Sequence, residues 1–144
     1  MMHYIARGIC IKDNEILLAY HKEQSYYFLP GGHIEPGESG RLTVLREFKE
    51  ETNENISVTE FVTTLEHVWQ SKNEIQHEIN LIFLVALNKE GADIESCVEH
   101  LMFQWVPIKH LNDIHFLPTE LKPYLANLLT NQPIPQFIST IHKA

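Results

Sequence analysis

Three carboxylates, Glu47, Glu50 and Glu51, lie close together in the stretch GHIEPGESGRLTVLREFKEETNE at residues 32–54. On a helix, at about 100° per residue, they share one arc of roughly 100°. Val44, Leu45, Phe48, Thr52 and Leu42 sweep the rest of the wheel toward a core, so the acids face away from it. Acids spaced i,i+4 on a helix repel by roughly 0.2–0.5 kcal/mol per pair. A hard divalent cation reverses that cost, because Mg²⁺ takes carboxylate oxygen and keeps several waters. For the acids alone, the simpler alternative is a solvated acidic face.

The neighbouring residues weigh against that alternative. Gly31 and Gly32 precede the helix, and glycine lets backbone approach a ligand closely. Glu38 lies just ahead of the helix and Arg46 two turns into it, on neighbouring arcs. The pair can brace the turn against the helix. Ser39 is placed to cap the N-terminus and Asn53 to end the helix in the left-handed region.

The stretch resembles the Nudix box of the Nudix hydrolases. That pattern is Gly, five residues, Glu, seven residues, then Arg-Glu-apolar-x-Glu-Glu-x-Gly-apolar. Gly32, Glu38, Arg46, Glu47, Phe48, Glu50 and Glu51 all fall in register. Asn53 replaces the family's Gly, which the left-handed tolerance of Asn permits. Glu54 replaces an apolar residue and leaves Ile56 to supply the apolar anchor. The resemblance implies a metal site made by Glu47, Glu50 and Glu51 with the Gly31 carbonyl. It implies Mg²⁺ as cofactor, with Mn²⁺ as a substitute, and structural bracing by Glu38 and Arg46. In the MutT-like branch, a glutamate ahead of a Trp-containing strand adds a further ligand. Glu99, six residues before Trp105, stands at the matching place; the alternative is a loop carboxylate in water, and Glu95 and Glu78 compete with it. Family members assign the general base differently, so Glu47, Glu50 and Glu99 all stay open as catalytic residues.

Length and composition fit one compact domain over 1–144. A chain of this size buries roughly two thirds of its unfolded surface. Apolar residues make up 44% and charged residues 21%, which argues against disorder. The net charge of −8 argues against a general nucleic-acid binder, yet a nucleotide substrate remains compatible with it because a metal supplies positive charge locally. Cys10 and Cys97 have no metal-type spacing and read as reduced thiols of a cytoplasmic protein. The N-terminus has no apolar run long enough for a signal peptide. Ile79–Leu87, the most apolar run, is too short to span a membrane and reads as a core strand.

The elements that must position these groups alternate between strand and helix. Tyr4–Ile11 and Glu15–His21 read as strands around a turn at Asp13-Asn14, and Tyr26–Leu29 as a short strand feeding Pro30-Gly31-Gly32. The Ser39–Thr52 helix follows. Ile56–Gln70 and Glu74–Leu87 are strands joined at Lys72-Asn73, and Asn88–Cys97, with Gly91, is a loop. Phe103–Pro107 is a strand and Pro118–Thr130 a helix, with Thr119 as N-cap and Pro123 in the first turn. The order is α+β and resembles the Nudix α/β/α sandwich around a mixed sheet.

Substrate-contacting residues are less sharply marked. Arg7, Lys22 and His21 can meet phosphates, and His33 lies within the box loop. Tyr26, Tyr27 and Trp69 can stack on a base at about 1–3 kcal/mol each, whereas Phe28 is expected in the core. His77 and Glu78 read as a strand-face pair rather than a base–acid couple.

The resemblance implies Mg²⁺-dependent cleavage of a nucleoside diphosphate linked to another moiety. No proline of the ADP-ribose hydrolase type lies near Trp69-Gln70-Ser71, and no coenzyme A signature precedes the box. This places nucleoside triphosphates, oxidised ones among them, ahead of nucleotide sugars. Two rival classes stay open: a diphosphate isomerase or mRNA-decapping relative that shares the box, the latter ranked low for want of a basic surface, and a Nudix-fold sensor that binds nucleotide without cleaving it; such sensors lose acids from the segment that reads REFKEE here. Small nucleotides are the expected partners, without nucleic acid or membrane, and a homodimer stays open.

Overall fold

The computed structural model describes residues 1–89 and 93–142. Its strands are β1 (Met2–Lys12), β2 (Glu15–His21), β3 (Tyr26–Phe28), β4 (Gly31–His33), β5 (Ile56–Ser71), β6 (Glu74–Leu87), β7 (Leu101–Pro107) and β8 (Phe137–Ser139). Two α-helices, α1 (Gly40–Thr52) and α2 (Lys122–Thr130), complete it with short 3₁₀ turns at Ile108–Asp113 and Thr119–Leu121. The sheet runs β3-β2-β1-β6-β5-β8, with β4 added to β1 and β7 to β2. It is mixed: β1 runs parallel to β6, while β1–β4 and β5–β6 are antiparallel. β1 pairs with β4 over Ile5–Arg7 and with β2 only at Ile11 and Lys12, so the sheet divides along this strand.

Strand alternation sends successive side chains to opposite faces. On β2, Ile16 and Leu18 join one core cluster, while Leu17 and Ala19 join the other. The first cluster packs beneath α2 and the 3₁₀ turns through Phe116, Leu121 and Leu125. The second packs beneath α1 through Val44 and Phe48. A sheet buried on both faces by helical layers is the α/β/α sandwich that the family resemblance implies.

Capping explains the limits of α1. Ser39 accepts from the Leu42 N–H at 3.1 Å, and Asn53 closes the helix at φ 60°, donating its N–H to Lys49 O at 3.0 Å. Ile56 is buried beside Phe48 and takes the anchoring role denied to Glu54. Leu42, in contrast, is 56% exposed, so the apolar stripe is narrower than the wheel suggests. Thr119 opens a 3₁₀ turn instead of capping α2, which starts at Lys122 without a side-chain cap. The strands β4 and β8 were not expected, because three residues are too few to show a period. Gly91 lies outside the described residues.

Candidate active site

Helix α1 carries the acids, and β4 lies directly against them. A β-carbon on Gly32 would stand 2.3 Å from Glu47 Cδ, so this position admits only glycine while Glu47 keeps its place. A β-carbon on Gly31 would stand 2.1 Å from the Ala6 carbonyl oxygen. The two glycines thus let β4 lie flush between β1 and α1.

Arg46 organises the turn. Its Nε donates to Glu38 Oε2 at 2.8 Å and its Nη2 to Glu38 Oε1 at 3.0 Å, a bidentate pair of the strong type. Thr43 Oγ1 also donates to Glu38 at 2.6 Å. The Arg46 bond first, and the Thr43 bond next, hold the Glu38 carboxyl down to about 2. Arg46 Nη2 additionally reaches the His33 carbonyl at 3.1 Å and so ties the end of β4 to the helix.

The same guanidinium touches the acids. Nη1 lies 2.9 Å from Glu47 Oε1 and 3.4 Å from Glu50 Oε2. Glu50 remains 58% exposed, whereas Glu47 is 16% exposed. Glu51 turns inward rather than away from the core: its Oε2 is buried with no hydrogen-bond partner among the described residues. Burial, and then the adjoining Glu47 carboxylate, push Glu51 up to about 8. Two abutting carboxylates with one buried orphan oxygen have the chemistry of a hard-cation site, since a cation stabilises both charges where otherwise a proton must. Among the described residues no three acid, histidine or cysteine side chains already converge as a ligand set. Arg46 holds Glu47 and Glu50 in ion pairs, so a shared cation would require these two to reorient.

Across the sheet from α1 is a cavity of about 230 Å³. Arg7, Glu78 and Asn80 line it on β1 and β6, with Trp69 and His67 on β5 and Tyr26 and Phe28 on β3. Phe116 and Leu117 help to close it. Arg7 Nε donates to Asn80 Oδ1 at 2.7 Å, Nη1 to the Leu29 carbonyl at 3.0 Å and Nη2 to Glu78 Oε1 at 3.4 Å. Trp69 Nε1 donates to Glu78 Oε2 at 2.9 Å. Burial would raise Glu78, but the Arg7 charge and the Trp69 and Asn80 bonds outweigh it and keep the carboxyl below its ordinary value. His67 is held below its ordinary value, chiefly by burial, and bonds Thr140 Oγ1 at 2.9 Å. β4 connects cavity and acids: Gly31 pairs with Arg7, and its neighbour Gly32 packs on Glu47.

The fold brings together Gly31, Gly32, Glu38, Arg46, Glu47, Glu50 and Glu51, and it places Arg7 and Trp69 in the adjoining cavity. Tyr27 lies elsewhere, because its hydroxyl donates to Gln104 Oε1 at 2.9 Å and its ring packs on Tyr20. The alternation of β3 instead gives the cavity Tyr26 and Phe28, so Phe28 is half-buried at the cavity rather than sealed in the core. His33 Nε2 meets His3 Nδ1 at 3.0 Å, on the outer side of β4. Glu99 is exposed in the turn before β7 and forms no hydrogen bond or ion pair with the acids among the described residues. Its loop does dock on the helix, since Cys97 donates its N–H to Glu51 O at 2.6 Å. Glu78 separates from His77, which faces Glu66 at 3.6 Å on the opposite side of β6. Asn80 was passed over, yet an amide at alternate spacing from Glu78 within an otherwise apolar strand is a readable sign of a polar site.

Fold and site together define a Nudix-type architecture. Residues 2–131 match the NUDIX domain, and the chain belongs to that family. It is 29% identical over 106 residues to an uncharacterized Nudix hydrolase, YvcI, of Bacillus subtilis, covering 74% of this chain and 65% of that protein. It is 36% identical over 83 residues to an ADP-ribose pyrophosphatase of Methanocaldococcus jannaschii, covering 54% of this chain and 47% of that protein. The chain therefore spans less than two thirds of the length of either relative. A NUDIX hydrolase from Nitrosomonas europaea shares the fold at a TM-score of 0.73 and 22% identity, covering 95% of this chain and 77% of that one. A MutT protein from Methanosarcina mazei does so at 0.71 and 20%, covering 90% and 94%. No helix among the described residues is long and apolar enough to cross a membrane.

Proposed function

We propose that the chain hydrolyses a phosphoric anhydride bond in a small nucleotide, a nucleoside diphosphate joined to a further group. The observation that carries this reading is the partnerless buried oxygen of Glu51 against Glu47, set one short strand away from a ring-sized cavity. Glu47, Glu50 and Glu51 would hold a divalent cation, Mg²⁺ or in its place Mn²⁺, with the Gly31 carbonyl and Glu99 as further donors. When bound, that cation supplies charge screening at the phosphates and lowers the pKa of the attacking water.

The remaining work falls to the chain. The cavity binds the nucleoside end and fixes which phosphate lies over β4. Arg7, with unused guanidinium hydrogens, lines the cavity at the nucleoside end. A carboxylate among Glu47, Glu50 and Glu99 takes the proton of the attacking water. The new P–O bond forms as the bridging P–O bond breaks, and the leaving phosphate keeps the electron pair. Arg46 and Glu38 hold the turn while Glu50 swings free.

Proteins similar to this chain include ADP-ribose pyrophosphatases and a UDP-X diphosphatase. A cavity of about 230 Å³ is sized for the nucleobase, so the order of nucleoside triphosphates ahead of nucleotide sugars rests on the sequence, which lacks the ADP-ribose-type proline near Trp69-Gln70-Ser71. The test is a panel of nucleoside triphosphates, ADP-ribose and UDP-sugars, assayed with Mg²⁺ in the wild type and Glu50→Gln. Monophosphate release from a triphosphate, lost in the variant, supports the reading. Nucleotide binding without turnover of any member would make the protein a sensor.

A further inference from the structure

The cavity contains a hydrogen-bonding edge that the anhydride chemistry does not use, and its donors and acceptors have a definite order. Glu78 offers only acceptors, and Arg7 beside it only donors. We propose that this edge selects a guanine ring: Glu78 accepts from the adjacent N1–H and N2–H, and Arg7 donates to O6. The inference rests on the reading that the ligand is a nucleotide, and it names the base.

Several observations converge on it. The cavity, at about 230 Å³, has room for a single planar ring system. Its side walls are aromatic, with Trp69 42% exposed and held at the cavity by its bond to Glu78, and with Phe28 beneath the Arg7 guanidinium at 5.8 Å. The polar edge is shielded, since the Arg7 and Glu78 side chains are only 18% and 14% exposed. Asn80 is not available as a reader, because Oδ1 accepts from Arg7 and Nδ2 donates to Leu65 O and Glu78. It positions the other two.

Glu78 has acceptor capacity to spare. A carboxylate accepts about four hydrogen bonds, and here it receives three. The two on Oε1, from Asn80 at 3.3 Å and Arg7 at 3.4 Å, are long and yield readily to a shorter donor. An Arg7 hydrogen released in this way lies next to the place of O6.

The other bases match this order poorly. Uracil flanks its single N–H with two carbonyl oxygens, which would face the carboxylate. Adenine and cytosine each set a ring acceptor beside one amino group. Hypoxanthine keeps N1–H and O6 but lacks the amino group, so it isolates one contact. The wrong base would displace the Arg7 and Asn80 contacts of Glu78 without replacing them, and that loss is what gives such a site its discrimination.

The experiment is calorimetric binding of GMP, IMP, AMP and UMP in chelator, where no hydrolysis occurs. GMP should bind about tenfold to a hundredfold more tightly than AMP or UMP, and about tenfold more tightly than IMP. In Glu78→Gln, checked for fold by circular dichroism, the GMP advantage should fall to within about twofold of AMP, because the amide replaces one acceptor with a donor. Equal binding of the four by the wild type, or a preference for AMP or UMP, overturns the inference without any variant. Retention of the full GMP preference by folded Glu78→Gln overturns it as well. Failure of the hydrolysis reading would look different: GMP selectivity intact, with no turnover of any nucleotide once Mg²⁺ is supplied.

Discussion

Gly32→Ala should separate the placement of Glu47 from the stability of the fold. A methyl group there would stand 2.3 Å from Glu47 Cδ. Comfortable carbon–carbon contact begins near 3.5 Å, so the carboxylate must retreat by about 1.2 Å. Displacements of about 1 Å at a reacting centre cost about 10²-fold in rate. The clash is with the end of a side chain and not with backbone, so the folding cost should fall near the low end of the overpacking range, about 1 kcal/mol. For a domain of this size that is a Tm decrease of roughly 2–4 °C. The assay is monophosphate release with Mg²⁺, run beside a thermal melt. A hundredfold loss with a small Tm change is the expected pair. Wild-type turnover in Gly32→Ala would refute the claim that the glycine exists to seat Glu47.

Three further outcomes are expected. Glu38 is held at about 2 against an ordinary 4.5, so its contribution to stability is present above about pH 4.5 and lost as pH falls toward 2; the Tm of Glu38→Gln should therefore fall less steeply than wild type over that window. Glu51→Gln removes one of two abutting carboxylates, so its metal-free melt should match or exceed wild type; the stabilisation by divalent cation, about 2.7 kcal/mol at a hundredfold excess over Kd, should disappear from its melts. Glu99→Gln should lower kcat by about 10²-fold while Glu95→Gln does little, and equal mild effects in steady-state kinetics would leave Glu99 a solvated loop residue.

The acidic helix was the most legible part of the molecule. Its caps, its Glu38–Arg46 brace and its acidic arc are all set by local spacing, and local spacing survives folding. The cavity was far less legible, because it is assembled from five separated segments that meet only through sheet register. Arg7 and Trp69 were suspected, but which aromatics of Tyr26-Tyr27-Phe28 face the cavity depends on the phase of β3 against β2, and three residues do not reveal a phase. Glu51 shows another limit: a wheel gives direction but not depth, and this acid buries a carboxylate oxygen that the wheel leaves on the solvent side. Glu78 was read as half of a pair with His77, although neighbours on a strand point to opposite faces.

The central claim is that Glu47, Glu50 and Glu51 form a divalent-cation site for anhydride hydrolysis. Phosphorus NMR of a nucleoside triphosphate incubated with the protein tests it most directly, first with Mg²⁺ and then with excess chelator. Monophosphate and pyrophosphate should appear with Mg²⁺, vanish with chelator and return when the ion is restored. Undiminished hydrolysis in chelator, or undiminished hydrolysis by Glu50→Gln with Mg²⁺, would contradict the account.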